Sequence, residues 1–475
     1  MLNQLYKPTL GLLTDLYQIT MAYGYWKSGR HTVETTFQLF FRKAPFDNGF
    51  AICAGVDTAL ELIEQFRFSD EDIYYLAQQT GNDGEPLFEP AFLHYLQNLD
   101  MAVDIDAVSE GVAVLAHEPI LRVTGSIIPC QLLESALLTC INFQTLIATK
   151  SHRVCKAAKD DVVLEFGLRR AQGFDGAVSA SRAAYIGGAH ATSNVLAGKL
   201  FDIPIKGTHA HAWVMMFDSE PEAFEAYANA MPNNCVFLVD TYDTLEGVQN
   251  AIQAGLKLRE HGHEMVGVRL DSGDLTALSI VARNLLDNAG FPDAKIVASD
   301  SLNEYRIAEL KSAGAQIDIW GVGTNLVTAQ DQPALGGVYK LSAQRETSDS
   351  EWIPKIKLSN SSIKVSNPGR LQIYRCIDSN GVWYADILGD HPPQTNRNIY
   401  SLAGNDISIP AGSTPVPILT RRMTAGKRVQ SSETIHACRQ RSLTVVPCKQ
   451  DLPFLTANTW ATKHALMEKY KPTSR

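Results

Sequence analysis

The sequence predicts an α/β fold, with an irregular α/β-barrel-like domain and an α+β domain built from the N-terminal region and a returning C-terminal region. Three observations predict it. Between Asp161 and Leu341, short apolar runs alternate with helical patterns, as expected of parallel strands covered on both faces. At 475 residues the chain exceeds what one hydrophobic core usually serves. After Leu341 the rhythm dissolves into polar, Pro- and Gly-containing segments, which reads as a chain returning to finish an earlier domain. The expected borders are 1–130 (completed by 346–440), 131–345 for the barrel-like domain, and 441–475 for a C-terminal tail.

The elements follow from local pattern. Residues 10–28 carry helical apolar spacing, and Val33 to Arg42 is β-branched and aromatic, hence a strand. Thr58 to Phe66 and Asp70 to Gln79 read as helices, the second capped by Ser69. Val103 to Ile105, Ala113 to His117 and Ile120 to Thr124 form a meander of strands. Gln131 to Ala157 is a long helix closing in Lys150, Arg153 and Lys156, cations suited to a helix C-terminus.

In the barrel-like stretch, strands are expected at Val162 to Phe166, from Gly207 through HAHAWVMMF, and at Val236 to Val239, Met265 to Leu270, Lys295 to Ala298 and Ile317 to Gly321. Helices are expected at Ser179 to Ile186, Ala191 to Leu200, Glu222 to Asn229, Thr244 to His261, Thr276 to Ala289 and Asn303 to Ala313. Beyond them, strands at Ile373 to Cys376 and Trp383 to Ile387 and a helix from Thr459 to Tyr470 are the only clear elements.

Composition narrows the function classes. A net charge of -9 argues against a nucleic-acid surface, which needs a concentrated basic face. No apolar run approaches the roughly 18 residues of a membrane span. The N-terminus lacks the pattern of a signal peptide, and the eight cysteines are scattered without a CxxC pair, which fits reduced thiols in a cytoplasm.

The chemistry-bearing residues sit where strands end. GVRLDSGDL (267–275) places Arg269 and Asp271 two apart on one side of a strand, a cation and an anion suited to an anionic, hydroxyl-bearing ligand or to a plain salt bridge. FGLRR (166–170) offers Phe166 for stacking a flat ring and Arg169 for a carboxylate or phosphate. GVGT (321–324) and LGGVYKL (335–341), with Lys340, suit a sugar phosphate near the end of a barrel. GTHAHAWV (207–214) puts His209 and His211 on the same side of the expected strand. No Cys or third His stands at zinc-ligand spacing, so a core His209 and a nucleophilic or proton-carrying His211 are expected. VDTYD (239–243) and ASDSLNE (298–304) add Asp240, Ser299 and Asp300, which suit Mg²⁺ through water, ribose hydroxyls, or helix caps. An aldolase-like reading would need a Schiff-base lysine inside a strand, and none stands out.

In this order TDLYQITMAYGYW, FGLRRAQG, ASRAAYIGG, TSNVLAG, GTHAHAWV, GVRLDSGDL, GVGTN and LGGVYKL closely resemble the nicotinate phosphoribosyltransferase family. The resemblance implies transfer of phosphoribose from 5-phosphoribosyl 1-pyrophosphate (PRPP) to nicotinate, giving nicotinate mononucleotide and pyrophosphate in NAD salvage, with ATP hydrolysis coupled through a phosphohistidine. It implies that Phe166 stacks the pyridine ring, with Tyr17 of a neighbouring subunit on the other face, so a homodimer is expected. Arg269 would approach the nicotinate and Arg169 its carboxylate or the phosphates. Asp271, Asp240 and Asp300 would hold ribose hydroxyls and the Mg²⁺–pyrophosphate, and Thr208 and Ser299 would also bind substrate. Asp271 and Asp300 would reach Mg²⁺ through water. Gly323, Thr324, Gly337 and Lys340 would cradle the 5′-phosphate, and His211 matches the phosphorylated histidine. Ser193 and Asn194, the latter where nicotinamide-using relatives have an aspartate, would donate to a carboxylate and favour nicotinate. Two departures stand out: Ala189 and His190 where the family usually has an aromatic residue and an aspartate, and the loss of its Glu- and Arg-rich C-terminal helix pattern after about residue 440.

Overall fold

A computed structural model of the chain describes residues 9–361, 364–377, 381–394, 398–409 and 412–471. Residues 1–8 of the N-terminal segment and 472–475 of the expected tail lie outside them. The chain forms two compact units. One takes Ile147–Pro333 and Ile435–Leu443; the other takes the described residues up to Leu146, Ala334–Thr434 and those from Thr444 onward. The border falls inside one helix, Glu134–Ala158, which is preceded by a separate short helix, Ile127–Leu132.

The first unit is a six-stranded sheet in which every described pairing is parallel. Its strands are β1 (Val162–Glu165), β2 (Ala191–Thr192), β3 (Val236–Leu238), β4 (Gly267–Leu270), β5 (Lys295–Ala298) and β6 (Ile319–Val322), ordered β2-β1-β6-β5-β4-β3. Residues such as Val163, Val268, Ile296 and Trp320 are fully buried, so the strands read as unbroken apolar runs. Helices follow nearly every strand, and because all the strands run the same way, their C-terminal ends form one edge.

The loops leaving that edge share a division of labour. After β3, Asp240 comes first, and Asp243, three residues on, caps helix Thr244–Glu260 by accepting the Glu246 N–H. After β4, Asp271 comes first and Asp274 caps helix Leu275–Asn288, accepting from Thr276 and Ala277. After β5, Ser299 and Asp300 come first and Asn303 caps helix Glu304–Ser312. Capping therefore falls to the later residue of each loop, leaving the earlier one for other work.

The second unit is mostly antiparallel. A seven-stranded sheet places Glu34–Phe41 between Gly337–Arg345 and Leu121–Ser126, and Asp104–Val108 between Leu121–Ser126 and Leu419–Thr424. A six-stranded sheet includes Gln372–Ile377, Trp383–Gly389 and Phe454–Thr456. Arg375 is half-buried there, its guanidinium donating to Asp386 at 2.7 Å and lying 3.7 Å from the centre of the Trp383 ring. Ser69 does cap helix Asp70–Ala77, with Asp72 closing a capping box.

Several expectations need correcting. The run after Gly207 is not a strand: His211–Met215 is a helix. Ala191 to Leu200 is strand β2 followed by helix Val195–Phe201. LGGVYKL lies not in the parallel sheet but in the antiparallel unit, its strand paired with Glu34–Phe41. Residues 441–475 are no detached tail. Phe454–Thr456 is an inner strand of the second antiparallel sheet, parallel to Trp383–Gly389. Helix Ile435–Leu443 belongs to the parallel unit, where Arg439 donates to the carbonyls of Gly188 and Ala189. None of the described helices is long and apolar enough to cross a membrane.

Gly267, the first residue of β4, tests the tight packing of the sheet. A β-carbon there would stand 2.0 Å from the Lys295 carbonyl oxygen on β5. Gly267→Ala is expected to lower unfolding free energy by at least about 1–3 kcal/mol, the usual cost of overpacking, as read from the denaturant midpoint.

Candidate active site

The parallel edge begins with Phe166, directly after β1. Its ring lies against Gly321 of β6, where a β-carbon would come within 2.7 Å of the ring, so only glycine leaves the ring its place. Glu165, just before it, is buried and accepts from the Ser181 and Thr192 hydroxyls at 2.8 and 2.6 Å and from the Gly167 N–H. Nothing in the sequence pattern singled out Glu165, yet it ties β1, β2 and helix Phe174–Ile186 together beneath the ring.

Arg269 is the centre of the edge. Its Nε donates to Ser299 Oγ at 2.8 Å, Nη1 to Thr208 Oγ1 at 2.9 Å and Nη2 to Asp271 Oδ1 at 2.9 Å. A guanidinium has five N–H groups, so two remain for a ligand. Its Cζ stands 6.0 Å from the centre of the Phe166 ring. The Ser299 hydroxyl also donates to Asp271. Burial opposes ionisation of Asp271, but the Ser299 hydroxyl, the Arg269 guanidinium and the nearby His211 outweigh it, holding its pKa below the ordinary carboxylate value.

Asp240 Oδ2 accepts from the Asp271 N–H at 2.8 Å and from Ser272 Oγ at 2.7 Å, while its Oδ1 is buried without a partner among the described residues. His211 lies between the β3 and β4 ends, Nδ1 at 3.1 Å from Thr241 Oγ1 and Nε2 at 3.6 Å from Asp271 Oδ2. Thr241, present in VDTYD but not singled out there, thus fixes the ring of His211. Asp300 is exposed with φ +96° and Ser301 has φ +49°, left-handed conformations uncommon for residues other than glycine. Gly323 and the exposed Thr324 follow β6, and Arg169 is exposed in a short 3₁₀ turn, without an ion pair among the described residues.

Other expected residues stand differently. His209 does not share a face with His211; it is buried among Phe224, Tyr227 and Phe237 and accepts the Leu238 N–H at Nε2. Asn194 is buried, its carbonyl capping helix Val195–Phe201 and its amide donating to Ser181 Oγ at 3.2 Å and Ala177 O at 3.4 Å. Its hydrogen bonds are spent inside the unit, so it does not serve as donor to a ligand carboxylate. Ser193, half-buried, keeps its hydroxyl unengaged among the described residues.

Three more residues belong to the antiparallel unit. The Gly337 N–H is taken by Asn142 Oδ1 at 3.1 Å and is therefore not free to cradle a phosphate. Lys340 donates to the Tyr339 carbonyl and lies 4.0 Å from Glu134, with burial lowering its pKa. Tyr17 is exposed on helix Leu16–Lys27. No group of three or more His, Cys, Asp or Glu that could hold a metal occurs among the described residues. The acidic oxygens nearest to such use are Asp240 Oδ1 and the exposed Asp300, a set suited to a cation carried mostly by a ligand's phosphates.

An aromatic wall, a partly committed arginine, carboxylates and a histidine gather on the C-terminal edge of a parallel sheet, where α/β enzymes place their ligands. Comparison with known proteins narrows this. The family model described as nicotinate phosphoribosyltransferase (NAPRTase) N-terminal domain matches residues 12–142, and that of the nicotinate phosphoribosyltransferase (NAPRTase) family matches 162–372. The nicotinate phosphoribosyltransferase of Bacillus subtilis is 48% identical over 392 residues, covering 82% of this chain and 78% of that protein. That of Dictyostelium discoideum is 43% identical over 428 residues, covering 80% and 71%. The crystal structure of human nicotinic acid phosphoribosyltransferase superposes with a TM-score of 0.83 at 30% identity, covering 95% of this chain and 99% of that one. The chain belongs to the nicotinate phosphoribosyltransferase family.

The two histidines separate experimentally. His209→Ala removes a buried ring and is expected to cost about 2–4 kcal/mol of stability, whereas His211→Ala should change it by less than about 0.5 kcal/mol. Burial pushes the pKa of His209 from its ordinary 6.5 down to about 4, so folding favours the neutral ring. Its contribution is complete above pH 6.5 and is lost as pH falls from 6.5 toward 4. Denaturant titrations across that window should show a shallower acid loss in His209→Gln than in the parent.

Proposed function

We propose that this chain is an ATP-coupled nicotinate phosphoribosyltransferase acting in cytoplasmic NAD salvage, converting nicotinate and PRPP to nicotinate mononucleotide and pyrophosphate. The observation that carries the reading is the strand-end array centred on Arg269 in a chain of this family. Phe166 provides a face for the pyridine ring, and the two spare N–H groups of Arg269 suit its carboxylate. Ser193 and Arg169 are open to the same ligand. Asp240, Asp271 and Asp300 suit ribose hydroxyls, and Gly323 with Thr324 the 5′-phosphate.

Departure of pyrophosphate leaves an oxocarbenium-like ribose, so these residues act by holding the two reactants in line and by excluding alternatives to the incoming ring nitrogen. Mg²⁺, when bound, would neutralise charge on the leaving pyrophosphate. Asp300 and the Oδ1 of Asp240, unpartnered among the described residues, would hold it through water and the pyrophosphate itself. They replace the expected pair of Asp271 and Asp300, because Asp271 is engaged by Arg269 and Ser299. His211 is the proposed phosphoryl acceptor from ATP, because it is half-exposed, oriented by Thr241 and adjacent to Asp271. The exposed Tyr17 would complete the ring site of a second copy in a homodimer.

Nicotinate mononucleotide formation from PRPP, with and without ATP, tests the reading. ATP should raise product formation by the parent, while His211→Ala should keep the ATP-independent rate and lose the increase. An unchanged ATP response in the variant would remove His211 from the coupling. Nicotinamide should be used about 100-fold less efficiently in kcat/KM than nicotinate; equal use would overturn the choice of pyridine.

A further inference from the structure

We propose that the antiparallel unit carries a second ligand site, a cavity of about 510 Å³ beside Arg370 and Trp352 that takes a phosphate-bearing small molecule of nucleotide size. Pockets of about 300–1,000 Å³ commonly hold ligands of this size.

The starting point is one arginine that forms no ion pair among the described residues. Four arginines cluster here, and three have carboxylate partners. Arg122 donates to Asp106 at 2.8 Å, Arg345 to Glu34 at 2.6 Å, and Arg421 to Asp106 at 2.8 Å. Arg370, on the cavity wall, forms no ion pair among the described residues, and its Nε is buried without an acceptor. Burial and the neighbouring charge of Arg122 work against its charged form, and Asp106 offsets them only in part. A guanidinium keeps its proton at neutral pH, so an anion entering the cavity would add the partner that Arg370 lacks.

The rest of the wall suits such an anion. Trp352 packs under both Arg370 and Arg345, whose Cζ atoms lie 4.8 and 4.6 Å from the ring centre, which aims the unpaired guanidinium. Thr459 and Thr462 line the cavity from the first turns of helix Ala457–Lys469, whose N-terminus favours negative charge. The Thr456 hydroxyl donates to Thr459 Oγ, leaving the Thr459 proton free to donate. Tyr374 and Leu371 supply apolar surface for a ring. Asp390 also lines the cavity but is exposed and makes no ion pair with Arg370.

The test uses the full chain, with adenosine 5′-monophosphate and inorganic phosphate as probes, followed by calorimetric titration and thermal unfolding. Arg370→Met should weaken nucleotide binding at least about tenfold, and it should raise Tm in the absence of ligand, because a half-buried cation outside any ion pair is removed. Asp271→Asn, at the strand-end edge, should leave that binding in place, and Arg370→Met should leave phosphoribosyl transfer at saturating substrate unchanged. A fall in Tm on Arg370→Met would make the arginine structural and overturn the proposal. So would nucleotide binding that survives Arg370→Met or disappears in Asp271→Asn, or failure of the parent to bind it. Protection by phosphate alone, equal to that by the nucleotide, would reject a ligand of nucleotide size.

Discussion

The guanidinium of Arg269 joins three separate pieces of chain, and the rest of the edge depends on that junction. It reaches Thr208 ahead of the His211 helix, Ser299 at the end of β5, and Asp271 at the end of its own strand. Ser299 closes the triangle onto Asp271, and Asp240 holds the Asp271 backbone from β3. Each of these groups is polar and partly removed from water, so deleting one strands the charge or hydrogen-bonding capacity of its neighbours. The network thereby fixes the positions of Asp271 and His211 and leaves two arginine N–H groups in reserve.

The parallel architecture is what makes such a network available. Strands running in one direction bring residues 166, 193, 240, 271, 299 and 323 to a common edge, although they are far apart in sequence. The loops then separate structural from functional work, with Asp243, Asp274 and Asn303 closing helices so that Asp240, Asp271 and Ser299 need not. A carboxylate at a strand end can thus be read two ways in the sequence, and its offset from the following helix decides between them.

Much of this was legible beforehand. Buried parallel strands leave unbroken apolar runs, so β3 to β6 were found within a few residues, and the strand-end location of Arg269 and Asp271 followed. The failures are equally physical. HAHAWVMMF is mostly apolar apart from its two histidines, and such a run fits either a strand or a short helix; packing of Trp213 against Phe217 and Tyr227 accompanies the helix. Local pattern cannot say which sheet a strand joins, so Gly337 and Lys340 were assigned to the wrong unit. Asn194 looked available because its amide is polar, whereas its partners Ser181 and Ala177 lie on another helix. Glu165 and Thr241 escaped notice because orienting residues have no spacing of their own. The C-terminal third was least legible, since its strands are short and it contributes elements to both units.

Equilibrium binding of PRPP with Mg²⁺ to Asp271→Asn, measured alongside thermal unfolding, tests most directly whether the Arg269 junction is a ligand site. Binding at least about tenfold weaker, with Tm within a few degrees of the parent, is the outcome expected if Asp271 serves the ligand. Unchanged binding together with a large fall in Tm would show that Arg269 and Asp271 form a structural ion pair, and would contradict the central claim.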